Sequence, residues 1–334
     1  MRRIEIILSR LLWLIPTLIG LIVVVFFIAN VVPTDPARII AGENATTEQV
    51  EALRTELGFD EPLYVRLGIY VRDLATGNMG RSLYTQRPIA DDLAHRLPAT
   101  LELTFAATLI AIGLGIPLGV VSAIRRNTMT DQVLRVLSVS GLAIASFWLA
   151  MELQMLFSTR WGLTPLNGRI SGFGPDEITG FFVLDSLLTW DMESLGDALL
   201  HLLLPAVTLA LPAAATILRF TRAGVLEVIT SNFVLYETAM GLPRGLIIWK
   251  YVLRNALIST VTQIGLIFGV LFSGAVVVEA VFDWPGLGTY AVQSILQSDN
   301  KAILGFTILV GVVFIVVNLI VDILHTFIDP RTLK

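Results

Sequence analysis

The sequence predicts an all-α, polytopic membrane protein of six transmembrane helices, and three observations carry that expectation: the overall hydropathy, six apolar windows of bilayer length, and the division of basic residues between connecting segments. Of 334 residues, 55% are hydrophobic and 15% charged. The mean hydropathy of +0.77 is too apolar for an ordinary soluble domain of this length. A formal charge of -4 supplies no broad basic surface, which argues against a nucleic-acid partner. The absence of cysteine excludes disulfides, thiolate metal sites and cysteine nucleophiles together.

A helix needs about 20 apolar residues to cross roughly 30 Å of hydrocarbon. Windows of that kind run over Leu11 to Val31, Leu101 to Ile124, Val133 to Phe157, His201 to Leu218, Val261 to Phe282 and Ile303 to Phe327. The first follows Met1, Arg2, Arg3 and Arg10, as a signal peptide would, but the run is long and no small-x-small site closes it, so an uncleaved anchor is expected. With both termini in the cytoplasm, inner segments hold 13 of the 23 basic residues, whereas ten acidic residues lie between Asp35 and Asp92 and six between Asp176 and Asp197. That bias orients the chain. The expected division is therefore an N-terminal span over 1–31, an outer segment over 32–100, and a main bundle over 101–330 with an inner loop at 219–257.

Within the outer segment, Thr46-Thr47-Glu48-Gln49 predicts a capped helix start, with Val50, Leu53 and Leu57 at helical spacing until Gly58. Gly77-Asn78-Met79-Gly80 predicts a turn, and the Gly- and Pro-rich loop from Thr159 to Leu200 is expected to be irregular and solvent-facing. The inner loop from Arg219 to Leu257 is too long for a connector and too regularly charged to span. It predicts short surface helices, with Phe233, Tyr236, Ala239 and Met240 forming an apolar stripe that stops at Gly241-Leu242-Pro243. An amphipathic helix, a sharp stop and a second helix make a knob that a partner can grip.

Several segments, in order along the chain, resemble the inner-membrane permeases of binding-protein-dependent ABC importers, in particular the dipeptide and oligopeptide branch. Ala239-Met240-Gly241-Leu242 and Leu253-Arg254-Asn255-Ala256-Leu257 resemble that family's cytoplasmic EAA loop, although Leu235, Tyr236, Glu237 and Thr238 stand where the branch usually has basic residues. Val278-Glu279-Ala280-Val281-Phe282-Asp283-Trp284-Pro285-Gly286-Leu287-Gly288 resembles its E-x-x-F-x-x-P-G-x-G segment, and Asp322 with Asp329-Pro330-Arg331 its C-terminal signature. Thr34-Asp35-Pro36, Gly80-Arg81-Ser82 and Arg96-Leu97-Pro98-Ala99-Thr100-Leu101-Glu102-Leu103 are similar to the branch's long outer loop.

The resemblance implies the type I permease fold, a location in the bacterial inner membrane, and a channel formed with a second homologous permease. It also implies two ATP-binding subunits that carry the ATP and Mg, a periplasmic solute-binding protein, and no cofactor in this chain. The sequence agrees, since no G-x-x-x-x-G-K-[ST] loop occurs. Glu237, Ala239, Gly241, Leu242, Arg254 and Asn255 are the expected ATPase-coupling residues. Switching between inward- and outward-facing states needs a bistable bundle, for which Gly113, Gly115, Pro117 and Gly119, or Pro205 and Pro212, offer bending or close packing.

For the translocation path, Ser146, Phe147 and Trp148 resemble a family segment near the channel, yet an aromatic pair in a membrane helix also serves packing. A functional reading puts Glu152 and Gln154 on the solute path, but for these and Asn318 interhelical hydrogen bonding or an interfacial position is the favoured reading, and more strongly so for Glu279 and Asp322, which sit near where a span ends. His95, His201 and His325 have no metal-ligand spacing, and the N-x-[ST] triplet at Asn44 reads as chance. An intramembrane enzyme would need a paired nucleophile and base or facing aspartates, which do not stand out. A gradient-driven carrier would predict inverted repeats and leave the inner loop unexplained. Peptides are the expected solute, with nickel chelates, opines, glutathione or oligosaccharides as alternatives.

Overall fold

The computed structural model describes residues 2–31, 46–56 and 61–328. Thr34-Asp35-Pro36, Asn44, the Leu57-Gly58 helix stop and Asp329-Pro330-Arg331 lie outside the described residues, as do the side chains of Leu53, Asp322 and His325. The helices are α1 Arg2–Val31, α2 Thr47–Glu56, α3 Leu63–Ala75, α4 Ile89–Ile124, α5 Met129–Ala143, α6 Ser146–Leu153, α7 Phe182–Leu188, α8 Met192–Val228, α9 Asn232–Ala239, α10 Leu253–Val281, α11 Leu287–Leu296 and α12 Asn300–Ile328. Among the described residues the β pairing amounts to an isolated bridge between Arg81 and Pro88. Among the described residues, four helices are long and apolar enough to cross a membrane, namely the spans Ile89–Ile124, Met192–Val228, Thr260–Val281 and Asn300–Val321. Counting the bent pair α5 and α6 makes five, with Leu12–Ile28 of α1 as a shorter apolar stretch.

The window from Val133 to Phe157 is not one helix. Ile144 and Ala145 adopt extended backbone, and α5 meets the helix formed by α6 and its π-helical continuation Gln154–Arg160 at 102°. Hydropathy does not register such a break, because apolar residues flank it on both sides.

The chain divides into two compact units. The first comprises Met1–Arg10, His95–Gln293 and Val313–Lys334. At its centre is α8, whose Ala206, Leu209, Ala210, Ala213, Ala214 and Ile217 are buried against Ala99, Leu103, Ala107 and Ala111 of α4 and Ile267, Leu271, Ala275 and Val278 of α10. Lipid is as apolar as leucine, so membrane helices gain mainly by close approach, and small residues permit it. A Cβ on Gly115 would stand 2.7 Å from Ile217 Cβ, and one on Gly119 would stand 2.8 Å from the Leu218 carbonyl. These glycines therefore serve close packing, whereas Gly113 meets nothing within 4 Å.

Beyond α10, Asp283 takes the left-handed conformation and the Trp284 amide returns to the Glu279 carbonyl at 2.9 Å, closing the helix. Glu279 itself is fully buried. Its Oε1 accepts the Thr100 hydroxyl (2.6 Å), and its Oε2 accepts the amides of Gly288 (2.6 Å) and Thr289 (3.3 Å). Thr100 Oγ1 accepts the Leu287 amide at 2.8 Å. The first amides of α11, which have no partner inside the helix, are thus met by a carboxylate and a hydroxyl from two other helices. A Cβ on Gly286 would run into the Glu279 carboxylate, and one on Gly288 into the Val276 backbone. That contact accounts for both glycines of the motif.

The loop from Thr159 to Leu200, expected to be solvent-facing, has a buried floor. Arg169 pairs with Glu102, donates to the Gly180 carbonyl (3.1 Å) and lies 3.8 Å from the centre of the Phe182 ring. Glu102 Oε1 also accepts the Val183 amide at 2.8 Å. Asp185, fully buried at the start of α7, accepts the Thr179 hydroxyl (2.6 Å) and the amides of Thr179 (2.9 Å), Gly180 (2.9 Å) and Ile178 (3.3 Å). Burial by itself would push this carboxyl up, but those four hydrogen bonds outweigh it and hold it below the usual carboxylate range.

The second unit comprises Leu11–Ala94 and Ser294–Val312. The Thr46 amide donates to Gln49 Oε1 (3.0 Å) and the Gln49 amide to Thr46 Oγ1 (3.4 Å), the reciprocal cap that the sequence predicts. The turn at Gly77 to Gly80 is present, with both glycines at positive φ. Fully buried Asp299 caps α12 through the Ala302 amide (3.2 Å) and holds the Gly80-Arg81-Ser82 segment through the Ser82 hydroxyl (2.7 Å) and the Leu83 amide (2.6 Å).

Two outcomes follow. Gly288→Ala should lower stability by about 1–3 kcal/mol through overpacking, read as a lower apparent Tm in detergent. Gly274→Ala, which meets nothing within 4 Å, should not lower it. Asp185→Asn should expose the Ile178–Gly180 segment to limited proteolysis at neutral pH, at a cost of about 1–3 kcal/mol. In the wild-type chain the Asp185 contribution is present above the unfolded carboxylate pKa of about 4 and is lost as pH falls through the depressed folded value, so the same cleavage should appear only on acidification.

Candidate functional site

The segment between α8 and α10 folds as a helical hairpin, and its turn can be built residue by residue. Helix α9 ends at Ala239, and Met240 closes it, its amide donating to the Tyr236 carbonyl at 3.0 Å. Gly241 follows at φ +77°, its amide bonding the Thr238 carbonyl (3.1 Å) while the Leu242 amide reaches the Glu237 carbonyl (3.3 Å). This is a Schellman cap, which places glycine where an L side chain is strained. Nothing lies within 4 Å of a Cβ at Gly241, so the positive φ alone demands glycine there. Pro243 then begins the return, a single α turn Arg244–Leu246 and a π-helical turn Ile247–Val252 that run into α10.

The hairpin is anchored by an apolar cluster of Val120 and Ala123 from α4, Val225 from α8, Val234 from α9, Ile247 and Val252 from the return and Ala256 from α10, with Leu242 packed against it. Val234 is the inward residue of α9. Phe233, Leu235, Tyr236 and Met240 are exposed, at 37%, 66%, 66% and 66%. The stripe seen in the sequence therefore faces away from the chain that carries it. Of the expected coupling residues, Ala239, Gly241, Arg254 and Asn255 are exposed, Glu237 and Leu242 half-buried. Asn255 donates to the Tyr251 carbonyl at 2.9 Å. Glu237 Oε2 is enclosed without a hydrogen-bond partner.

The candidates for a translocation path lie apart from the hairpin, on α6 and its π-helical extension. Ser146 opens α6 just after the bend and is half-buried. Phe147 and Trp148 are exposed at 50% and 49%, and Glu152 is half-buried. Gln154 holds structure together: its amide nitrogen donates to the Leu166 carbonyl (2.8 Å), Asn167 Oδ1 (3.0 Å) and the Val281 carbonyl (3.5 Å). Sequence reasoning did not single out Val234, whose only mark is a place opposite the exposed stripe, or Arg169, which reads as one solvated charge in a Gly-rich loop.

Residues 115–334 match the family described as binding-protein-dependent transport system inner membrane component, and residues 3–104 match the N-terminal component of the same systems. A probable D,D-dipeptide transport system permease protein, DdpB of Escherichia coli strain K12, is 41% identical over 314 residues, 93% of this chain and 92% of its own. The dipeptide transport system permease protein DppB of Alkalihalophilus pseudofirmus is 38% identical over 323 residues, covering 96% and 97% of the two chains. The glutathione transport system permease protein GsiC of Escherichia coli O6:H1 is 36% identical over 324 residues, 97% of each. Among solved structures, an inward-facing conformation of the MetNI methionine ABC transporter aligns with a TM-score of 0.54 at 18% identity, over 69% of this chain and 93% of that one, a likeness of fold. The hairpin and the Glu279 network are thus parts of a permease, and the chain belongs to the binding-protein-dependent transport system inner membrane components.

Proposed function

We propose that this permease imports dipeptides or short oligopeptides, forming the channel with a second homologous permease and drawing energy from two ATP-binding subunits that dock on the α9 hairpin. The observation that supports docking most directly is the outward-facing apolar set Phe233, Leu235, Tyr236 and Met240 on a helix whose opposite side is pinned by Val234. An exposed apolar face of that kind, held rigidly, is what a partner groove recognises. Glu237, Ala239, Gly241, Leu242, Arg254 and Asn255 shape that surface in this reading. Peptide as solute is supported by similarity to peptide permeases along nearly the whole chain. Glutathione is the second reading, favoured by the similarity to GsiC, and is itself a tripeptide.

In the proposed arrangement six spans cross the bacterial inner membrane with both termini and the hairpin in the cytoplasm, and a periplasmic binding protein delivers the solute. Ser146, Phe147, Trp148, Glu152 and Gln154 border the path. The bend at Ile144 and Ala145 supports this, because non-helical backbone at membrane depth is tolerated only where protein or a water-filled cavity covers it.

Affinity purification of the tagged chain from gently solubilised membranes should recover a second permease, ATP-binding subunits and a binding protein; recovery of the chain alone would overturn the assignment of partners. In proteoliposomes, uptake of a labelled dipeptide should be ATP-dependent and outcompeted by unlabelled dipeptide but not by glutathione; the reverse would favour the second reading. Gly241→Leu forces a side chain into the left-handed region at a cost of about 1–2 kcal/mol and should distort the cap. The expected result is an inserted subunit that has lost ATP-driven uptake; normal uptake would remove the hairpin from the coupling route.

A further inference from the structure

A fully buried carboxylate at the end of the bundle nearest the hairpin has no part in the docking surface, yet three helices converge on it. Asp131, in the first turn of α5, accepts the Ser122 hydroxyl from the last turn of α4 at 2.6 Å and the Asn127 amide from the intervening turn at 3.0 Å. Arg222, near the end of α8, grips it with two parallel bonds, Nε to Oδ1 at 2.9 Å and Nη2 to Oδ2 at 3.1 Å. Arg135, one turn further along α5, stands 3.6 Å from Oδ2 and is half-exposed. The apolar cluster that anchors the hairpin joins α4, α8, α9 and α10 but holds no residue of α5. At this end of the bundle, α5 is therefore attached to the hairpin's support through the Asp131 set.

We propose that Asp131 and Arg222 are positioning residues for coupling, making α5 move with the hairpin and carrying its displacement to the bend at Ile144 and Ala145. The inference rests on the hairpin's coupling role. The chain of contacts is continuous: Val234 of α9 packs in one cluster with Val225 of α8, Arg222 lies one turn earlier on α8, and Asp131 opens α5. At its far end α5 lies close to α8, with a Cβ on Gly141 falling 3.5 Å from Ala215 Cβ, and there the helix stops. A bidentate guanidinium–carboxylate pair resists rotation as well as separation, which a pair of apolar side chains does not. Such a pair is weak support for stability alone, since apolar residues of similar volume often do as well, but it fixes direction. A lever tied to the hairpin's support at one end, and ending in extended backbone at the other, transmits a push as a change of angle. Here α6, which carries Ser146 to Leu153, is what that angle moves.

The test uses the full chain reconstituted with its permease partner, ATP-binding subunits and binding protein, reading ATP hydrolysis and uptake of radiolabelled alanyl-alanine together. Arg222→Ala should assemble with unchanged stoichiometry and hydrolyse ATP, but lose stimulation by the loaded binding protein, with uptake per ATP falling about tenfold, within the range typical of coupling between sites. Arg222→Lys keeps the charge without the fork and should restore part of that ratio. Ser122→Ala removes one of the bonds to Asp131, leaves the pair intact, and should lower the ratio by a smaller factor. An unchanged ratio in Arg222→Ala overturns the proposal, as does loss of assembly in all three variants, which would make the pair structural only. A wild-type complex without ATP-dependent uptake or binding-protein stimulation would count instead against the importer reading.

Discussion

The network on which much of the first unit depends is the one around the Glu279 carboxylate. A carboxylate removed from water is costly unless its lone pairs are met, and the first amides of a helix are equally costly if buried alone. Glu279 and α11 solve the two problems for each other, with the Thr100 hydroxyl as the third member. The solution demands that α11 start against the carboxylate, which leaves no room for a Cβ at Gly286 or Gly288. It also brings Trp284 onto α4, where its indole nitrogen donates to the Ala99 carbonyl at 3.0 Å. Three residues along, Glu102 takes up Arg169, so the outer loop is tied to the same stretch of α4. Removing one partner would leave the rest buried and unpaired, and for that reason the arrangement tolerates little change.

These relations explain what could and could not be read from the chain. The helices were legible because apolar windows of bilayer length are a property of composition. The cap at Thr46 and the stop at Gly241 were legible because each depends on residues within a few positions. The Arg96 to Leu103 segment and the Glu279 to Gly288 segment were legible as strings but not as partners. Thr100 and Glu279 are 179 positions apart, and no local pattern records that one hydroxyl serves the other. Arg169 was lost for a related reason: a single arginine among glycines and prolines looks solvated until Glu102, Phe182 and the Gly180 carbonyl are seen around it.

The bend between α5 and α6 was illegible for a different cause. No proline stands at Ile144 or Ala145, and Gly141 precedes them inside the helix. The extended backbone there is held by what the two helices pack against, since α5 and α6 both lie on α8. Tertiary contacts override local propensity at this point. Arg222 and Asp131 belong with this case: an acidic residue in a first helical turn has a sufficient local reason to be there, and the guanidinium that also uses it comes from another helix.

The hairpin and the bend have complementary mechanics. A helix pair that relays motion must not absorb it, and α8 is suited to that, being packed on small residues with Gly115, Gly119 and Gly224 letting other backbones approach closely. Interfaces of this density shift as bodies rather than deforming. The proposed coupling places the bending where the hydrogen-bond ladder is interrupted, at Ile144 and Ala145, and where it is rewound into π-helical turns at Gln154–Arg160 and Ile247–Val252. One π-helical turn leads from the hairpin into α10 and the other ends the segment that carries the path candidates. In the proposed coupling, a tightly packed α8 between these interruptions turns a small displacement at the hairpin into a change of angle at α6.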